Sequence, residues 1–174
     1  MGFFPSPAAA ILWNVGAWFL IHCAAAGLTF LVPLSRFRPD GRLFRTRSWE
    51  RGGRLYGRLC AVREWKDLLP DGAALFRGGF RKRRMAGHSP AYCRVFAAET
   101  CRAELSHWLA LAAVALFFLW NPWYVALLMI PYAVAANAPC IVAQRFNRPR
   151  LLRTAWAMEA HSAFGRRRGS GADA

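Results

Sequence analysis

Charged residues are absent from two long stretches of the chain, and this pattern predicts its main elements. No Lys, Arg, Asp or Glu occurs in residues 1–35 or in residues 105–144. A helix needs about 20 apolar residues to cross a bilayer core of about 30 Å. The first stretch therefore predicts a transmembrane helix over residues 8–34. The second stretch, with 40 residues, is long enough for two such helices.

The second uncharged stretch is divided near its middle by Asn121-Pro122, with Trp120 and Trp123 on either side. Proline disfavours a helical conformation in the residue before it, and tryptophan favours the interface between membrane and water. We therefore predict a helical hairpin whose spans cover residues 104–120 and 123–143, with a turn at the membrane surface.

The distribution of positive charge predicts how these helices are oriented. The chain has 24 Lys and Arg against nine Asp and Glu, a net charge of +15, and 17 of the basic residues lie in residues 36–102 and seven in residues 145–168. The positive-inside rule then places both segments in the cytoplasm and the N-terminus outside. We expect these residues to meet anionic lipid headgroups. We expect no nucleic-acid partner, because a soluble nucleic-acid-binding protein has no use for three uncharged spans.

These observations predict an all-α integral membrane protein of the cell membrane, with about three transmembrane helices and a basic cytoplasmic segment of short interfacial helices over residues 36–102. Residues 1–164 would form one membrane-embedded domain. Residues 165–174, rich in Arg, Gly and Ala, would form a disordered tail. The first span is expected to be an uncleaved anchor, because residues 1–7 lack the basic start of a signal peptide.

The cytoplasmic segment contains one amphipathic pattern and several turn signals. Residues 48–66 predict a helix capped by Ser48, which lies in the membrane interface or packs on the protein itself. Its glycines would allow close approach to another backbone. Asp71 belongs to the turn signal Leu69-Pro70-Asp71-Gly72. Gly78-Gly79 indicates either a turn or a phosphate-binding backbone, and residues 81–84 form a basic cluster suited to headgroups.

Candidate chemistry lies at the start of the hairpin. On a helix, Thr100, Glu104 and His107 fall within about 60° of one another. Glu104 could orient His107 and raise its basicity, as general-base catalysis on a hydroxyl requires. Two alternatives remain open: salt bridges of Glu104 with its neighbours, or half of a di-iron motif, which needs two Glu-x-x-His pairs. We predict no metal and no cofactor.

Other polar residues near the hairpin suggest substrate contacts. Asn137, next to Ala138-Pro139 inside a span, is expected to face the bundle interior. Arg145, Arg148 and Arg150 present three guanidinium groups in six residues, which suit phosphate or carboxylate. The five cysteines form no CxxC pair, so neither a disulfide framework nor a zinc site is indicated. Cys101 is either a packing residue or a catalytic thiol.

The order of several short blocks resembles the glycosyl-4,4′-diaponeurosporenoate acyltransferase family over about residues 10–155. The blocks are Trp65-Lys66, Leu69-Pro70-Asp71-Gly72, Glu99-Thr100-x-Arg102-Ala103-Glu104-Leu105-x-His107-Trp108, Asn137-x-Pro139 and Gln144-Arg145-Phe146-Asn147-Arg148-Pro149-Arg150-Leu151. The resemblance implies a small membrane enzyme that esterifies a sugar hydroxyl of a glycosylated carotenoid acid, or a similar glycolipid, with a fatty acyl group. A non-catalytic membrane assembly or lipid-binding protein is the alternative.

On this basis we assign candidate roles. The predicted partners are a fatty acyl donor, as acyl-CoA or acyl-carrier protein, an amphipathic glycosylated lipid acceptor, and membrane lipids. The candidate catalytic residues are His107, Glu104 and Thr100. The candidate substrate-binding residues are Lys66, Asp71, Arg102, Asn137, Arg145, Asn147, Arg148 and Arg150.

Overall fold

The structure is a computed structural model that describes residues 6–68 and 89–170, and within these residues it contains helices and no strand. Three helices are long and apolar enough to cross a membrane: residues 7–31, residues 90–119 and residues 123–164. The predicted all-α membrane fold is therefore confirmed. The α-helices are α1 Pro7–Leu31, α2 Arg54–Leu59, α3 Val62–Trp65, α4 Pro90–Ala112 and α5 Trp123–Ser170.

Serine caps define where the first two long helices begin. The Ser6 hydroxyl accepts a hydrogen bond from the Ala9 backbone N–H, and the Ser89 hydroxyl accepts one from that of Tyr92. Each serine is followed by proline, which is favourable at the first helical position because its missing N–H would have no helical partner there. As a result α4 begins well before residue 104, and the candidate residues of this region lie inside one continuous helix.

The hairpin forms as predicted, but its second helix is longer than the predicted span. A 3₁₀ helix, Ala113–Leu119, continues α4 to the turn at Asn121-Pro122, and α5 starts at Trp123. Helix α5 continues past residue 143 as far as Ser170 and contains Pro131, Pro139 and Pro149. Residues 165–170 are thus helical where the sequence predicted a disordered tail, because an existing helix propagates at one hydrogen bond per added residue.

Small residues bring α4 and α5 together. Six described alanines on the two helices are fully or almost fully buried: Ala97, Ala110, Ala126, Ala133, Ala143 and Ala155. Small side chains allow transmembrane helices to approach closely and gain van der Waals contact. Helix α1 packs on α4 and places Trp18 against Phe117, with ring centroids 4.6 Å apart. Many large aliphatic side chains of the bundle are exposed on its outer surface, as expected for helices surrounded by lipid.

The segment before α4 differs from the single predicted helix over residues 48–66. It consists of a 3₁₀ helix, Ser48–Gly53, followed by α2, α3 and a second 3₁₀ helix, Lys66–Leu68. The chain turns because Arg51, Gly52 and Gly53 all have positive φ, so Ser48 does not cap a continuous helix. Gly53 also lies against α5, where a Cβ atom would be 3.1 Å from the Phe146 carbonyl oxygen. The predicted close approach through glycine is confirmed at this position.

Part of this segment packs on the protein itself, which confirms that alternative, and its placement in the membrane interface stays a prediction. Tyr56 and Val62 are buried against Ala143 and Phe146 of α5. Trp49 and Leu59, in contrast, are exposed beside exposed arginines. The predictions made for Asp71, for Gly78-Gly79 and for residues 81–84 lie outside the described residues.

Candidate active site

A cluster of four charged side chains joins α4, α5 and the 3₁₀ helix Ser48–Gly53. Glu104 of α4 accepts hydrogen bonds from two arginines of α5: Arg145 Nε at 2.7 Å and Arg148 Nη2 at 2.5 Å. Glu104 and Arg148 are each only 1% exposed. Glu50 completes the cluster by accepting a hydrogen bond from Arg145 Nη1 at 2.7 Å. Two carboxylates therefore balance two guanidinium groups, and we call these four residues the charged cluster.

Glu50 is held as a carboxylate by its surroundings. Its oxygens accept hydrogen bonds from the Tyr56 hydroxyl at 2.6 Å and from the Arg47 backbone N–H at 2.6 Å, in addition to Arg145. Burial by itself raises the pKa of Glu50, but these hydrogen bonds outweigh it, and the pKa is lower than its ordinary value. Burial and the neighbouring Glu50 carboxylate raise the pKa of Tyr56, so its hydroxyl remains a donor.

Arg148 is fully occupied inside the protein. Its Nε donates to the Thr100 hydroxyl at 2.9 Å, its Nη1 to the Phe44 carbonyl at 2.7 Å, and its Nη2 to the Thr100 carbonyl at 3.1 Å as well as to Glu104. The Thr100 hydroxyl in turn donates to the Ala97 carbonyl at 2.6 Å. In this structure the polar groups of Arg145, Arg148 and Thr100 are thus bonded within the protein. The substrate anion expected for the two arginines and the catalytic role expected for Thr100 stay predictions.

His107 is paired with Asn137 rather than with Glu104. The hydrogen bond joins His107 Nδ1 and Asn137 Oδ1 at 3.0 Å. The Glu104 oxygens instead accept hydrogen bonds from Arg145, from Arg148 and from the Trp108 indole N–H. The described hydrogen bonds thus join each residue to other partners, and the Glu104–His107 dyad stays a prediction. The physical reason for this pairing is that two guanidinium groups attract a buried carboxylate more strongly than a neutral imidazole does.

Asn137 determines which nitrogen of His107 carries the proton. The Asn137 amide N–H donates to the Ala133 carbonyl at 2.9 Å, so its Oδ1 is the atom that faces His107 and must accept. In the neutral imidazole the proton then lies on Nδ1 and the lone pair on Nε2. Asn137 is completely buried, as predicted for an amide that faces the bundle interior. A histidine fixed in one tautomer is suited to act as a base through Nε2.

Arg102 and Cys101 stabilise the fold around this site. Arg102 forms a salt bridge of 2.9 Å with Glu99, and its guanidinium lies 4.8 Å from the ring centroid of Phe30 and 5.4 Å from that of Phe37. Arg102 thus forms a salt bridge within α4, and its expected substrate contact stays a prediction. Cys101 is completely buried among Phe37 and Phe44, which makes it a packing residue.

A second basic group lies farther along α5 and has no counter-charge among the described side chains. Arg63 of α3 and Arg153 of α5 both act electrostatically on Arg150. The Arg150 guanidinium lies 4.4 Å from the Phe146 ring centroid, and Arg153 donates to the Gly52 carbonyl at 3.1 Å. No described carboxylate forms a salt bridge with any of these three residues, which we call the arginine trio. Asn147 and Lys66 are half-buried, and Asp71 lies outside the described residues.

Glu50 and Tyr56 belong to the site but are not among the functional residues that the sequence predicts. A signal was present, because Glu50 is the single acidic residue among seven arginines in residues 41–63. An isolated carboxylate in such surroundings predicts an ion pair. Its partner Arg145 is 95 residues away in the chain, so only the fold could identify it.

Comparison with known proteins identifies relatives over most of the chain. The sequence profile of the glycosyl-4,4′-diaponeurosporenoate acyltransferase family matches residues 40–156. A protein of that name from Staphylococcus haemolyticus is 31% identical over 134 residues, which is 77% of this chain and 78% of the relative. A second, from Staphylococcus aureus, is 33% identical over 134 residues, covering 77% and 81%. No solved structure matches the chain.

Proposed function

Because the chain belongs to the glycosyl-4,4′-diaponeurosporenoate acyltransferase family, and is therefore an acyltransferase, we propose that it esterifies a sugar hydroxyl of a glycosylated carotenoid acid with a fatty acyl group. The matched region contains the charged cluster, His107 and Asn137. Membership of an enzyme family also favours this function over the non-catalytic alternative. The observation that carries the chemistry is the hydrogen bond from His107 Nδ1 to the buried Asn137 amide.

In the proposed reaction His107 acts as a general base. Its Nε2 takes the proton from the sugar hydroxyl while the hydroxyl oxygen attacks the carbonyl carbon of the acyl thioester. The tetrahedral intermediate then breaks its C–S bond, and the departing sulfur receives the proton from His107. The products are a sugar ester and a free thiol, and the imidazole returns to its neutral form. Asn137 accepts the Nδ1 hydrogen throughout, which keeps Nε2 facing the substrate.

The charged cluster is proposed to position this base rather than to touch the substrate. Glu104 and His107 are three residues apart on α4, while Arg145 and Asn137 are eight apart on α5. The ion pairs between Glu104 and the two arginines fix α4 and α5 in one register, and the same register brings His107 to Asn137. Glu104 is thus a positioning residue in this proposal.

The arginine trio is the better candidate for the donor's phosphate. Acyl-CoA and acyl-carrier protein both carry the acyl group on a phosphopantetheine arm, so each presents a phosphate at the end of that arm opposite the thioester. Arg150 and its two neighbours lack a described counter-charge, whereas Arg145 and Arg148 are neutralised by Glu50 and Glu104. An anion bound by the trio would relieve the repulsion among the three guanidinium groups.

The proposed location is the cell membrane, with the N-terminus outside and both basic segments in the cytoplasm, following the positive-inside rule. The short helices α2 and α3 would then lie at the inner leaflet, with Trp49 and Leu59 in contact with lipid. In this orientation His107 lies near the cytoplasmic edge of the span predicted over residues 104–120. The acceptor would present its sugar near the inner headgroups and its apolar tail in the bilayer.

The first test replaces the proposed base. We expect His107→Ala to lower acyl transfer by about 10²–10⁴-fold, because a general base contributes that much. The assay uses the protein in vesicles with a radiolabelled acyl-CoA and a glycosylated carotenoid acid, and it detects the labelled ester. The matched control is His161→Ala, an exposed histidine of α5 that should leave the rate unchanged. Near-normal transfer by folded His107→Ala would show that this base is not used.

The second test separates positioning of His107 from its chemistry. Asn137→Leu removes the acceptor for Nδ1 and should lower kcat by about ten-fold, a smaller loss than removal of the base. Asn137→Asp retains an acceptor and adds a negative charge, which raises the pKa of the imidazole. Its activity should return toward normal with the pH profile moved to higher pH. Equal losses in both variants, with an unmoved profile, would contradict the role given to Asn137.

A further inference from the structure

Gln144 is a buried polar residue of α5 that has no part in the reaction described above. It is 8% exposed, and its side-chain carboxamide forms no hydrogen bond with any of the described residues. Buried side-chain amides are normally hydrogen-bonded, because an unsatisfied one is unfavourable for folding. An amide that binds nothing in the fold suggests a partner outside the protein, such as a substrate.

The Gln144 amide can still be reached by such a partner. Among the described residues, the unpartnered side-chain atoms that are completely enclosed are Trp18 Nε1 and Arg102 Nε, and a ligand cannot contact either of them. The polar atoms of Gln144 do not belong to this enclosed group and retain some exposed surface. A molecule that enters the site can therefore form the hydrogen bonds that the fold leaves open.

Gln144 lies on the side of α5 that faces α4, close to the proposed base. It follows Asn137 by seven residues, which is nearly two helical turns and about 10.5 Å along the helix, and it precedes Arg148 by four. Asn137 bonds to His107 of α4. Arg148 bonds to Thr100 of the same helix. Gln144 is therefore placed between the His107–Asn137 pair and the charged cluster.

Acyl transfer requires a hydrogen-bond donor near the base. When a hydroxyl oxygen attacks the thioester carbon, the electron pair of the C=O bond moves to its oxygen, which becomes negatively charged. Fixed N–H donors at about 2.7–3.1 Å from this oxyanion stabilise the tetrahedral intermediate, and the amides of Asn and Gln can supply them. Arg145 and Arg148 are already paired with carboxylates, whereas the amide of Gln144 is unpaired among the described residues.

We propose that Gln144 is the oxyanion donor of the acyl transfer, an inference that rests on the proposed function with His107 as its base. The side-chain N–H of Gln144 donates a hydrogen bond to the thioester oxygen while that oxygen is negatively charged, and no proton is transferred. When the C–S bond breaks, the electron pair returns to form the C=O bond of the ester, and the sulfur takes the proton from His107. The reacting carbonyl group then lies between His107 and Gln144, on two facing helices.

The first experiment measures the rate and the stability of the same variant. Gln144→Met retains the length of the side chain and removes the donor. We expect kcat to fall by about 10²–10³-fold, the effect of losing one oxyanion donor, with KM nearly unchanged. Thermal unfolding in detergent should occur at the same or a higher temperature, because an unpaired buried polar group has been removed. A lower unfolding temperature with kcat retained would show that Gln144 serves the fold and would overturn the inference.

Two further variants serve as rescue and control. Gln144→Asn keeps the amide but shortens the side chain, so it should recover part of the rate that Gln144→Met loses. Asn14→Leu also replaces a buried amide by an apolar side chain, but the Asn14 amide is bonded to Asn121 at the hairpin turn. We expect Asn14→Leu to lower the unfolding temperature and leave kcat of the folded protein unchanged. Equal losses of kcat in Gln144→Met and Asn14→Leu would overturn the inference.

Hydrolysis of acyl-CoA in the absence of an acceptor separates this inference from the proposed function. An oxyanion donor acts on the acyl carbonyl whichever oxygen attacks it, so Gln144→Met should lower the release of labelled fatty acid by the same factor as ester formation. If the wild type hydrolyses acyl-CoA in a Gln144-dependent way but forms no ester with the glycosylated carotenoid acid, the proposed function fails and the role of Gln144 stands. If Gln144→Met forms the ester at the normal kcat, or only raises KM for the acceptor, the role of Gln144 fails and the proposed function stands.

Discussion

The molecule holds its helices together with two buried polar regions of different chemistry. On the side of α4 and α5 away from the hairpin turn, the charged cluster joins segments that are 41 to 95 residues apart in the chain through ion pairs. Beside the hairpin turn, Asn14 of α1 bonds to Asn121 and to the indole N–H of Trp120 without any charge. We call this second region the amide network.

The difference teaches where each kind of polar contact can be used. A buried charge is strongly unfavourable unless its counter-charge and its hydrogen bonds are all present. A buried ion cluster therefore stabilises one arrangement of the helices, and loss of any one member is strongly destabilising. Neutral amides are less costly to bury and gain less from each partner. The charged cluster lies on the same two helices as His107 and Asn137, whose relative position the proposed reaction requires. The amide network joins helices where small adjustments are less costly.

The largest effect should follow from breaking the charged cluster. Glu104→Gln leaves Arg148 buried without its counter-charge and should lower the free energy of unfolding by about 3–5 kcal/mol. Thermal unfolding in detergent measures the loss. Glu159→Gln is the control, because its salt bridge with Arg94 is nearly half exposed and should contribute little. The double variant Glu104→Gln with Arg148→Met should recover part of the stability, and a purely additive loss would contradict coupling within the cluster.

A smaller effect is expected from the amide network. Asn14→Leu leaves Asn121 and the Trp120 indole without their shared acceptor and should cost about 0.6–1.7 kcal/mol, the range found for hydrogen bonds between membrane helices. The same unfolding measurement applies. Adding Asn121→Leu should restore much of the loss, because both members of the pair are then apolar. A loss as large as that of Glu104→Gln would remove the distinction between the two regions.

The smallest expected effect is on how the stability of the protein depends on pH, which should differ between the two regions. The pKa of Glu50 lies below its ordinary value of 4.5, so its contribution to stability is full above that value and is lost as the pH falls through the lowered pKa. Wild-type protein should therefore lose stability in this acid range. Glu50→Gln should be less stable near neutral pH and show a flatter acid dependence, whereas Asn14→Leu should keep the wild-type slope. Parallel acid curves for wild type and Glu50→Gln would contradict the assignment.

The sequence predicts the helical framework well because its signal is simple. Two uncharged stretches and a proline flanked by tryptophans are sufficient to predict three spans and a hairpin, and the structure confirms both. An amide side chain inside an apolar helix is likewise expected to face the interior of the bundle, and Asn137 does so. These inferences need only the composition of a short stretch of chain, which can be determined from a single sequence.

The partners of the candidate site could not be predicted in the same way. Helical spacing places Glu104 beside His107, but it contains no information about a helix that lies 41 residues farther along the chain. Arg145 and Arg148 both carry a full positive charge, and both donate hydrogen bonds to the Glu104 carboxylate. The break after Ser48 has a similar origin. Glycines at 52 and 53 weaken a helix, but contact with α5 fixes them in the left-handed conformation.

The unbroken helix α5 restricts which changes in chain length the protein can tolerate. Asn137 and Arg148 are eleven residues apart, close to three helical turns, so both face α4 from one side of α5. One residue inserted between them would rotate everything after it by about 100° and carry Arg148 away from Glu104. We therefore expect family members to preserve this eleven-residue interval and to vary in length between helices, where an added residue leaves the angular phase of α5 unchanged.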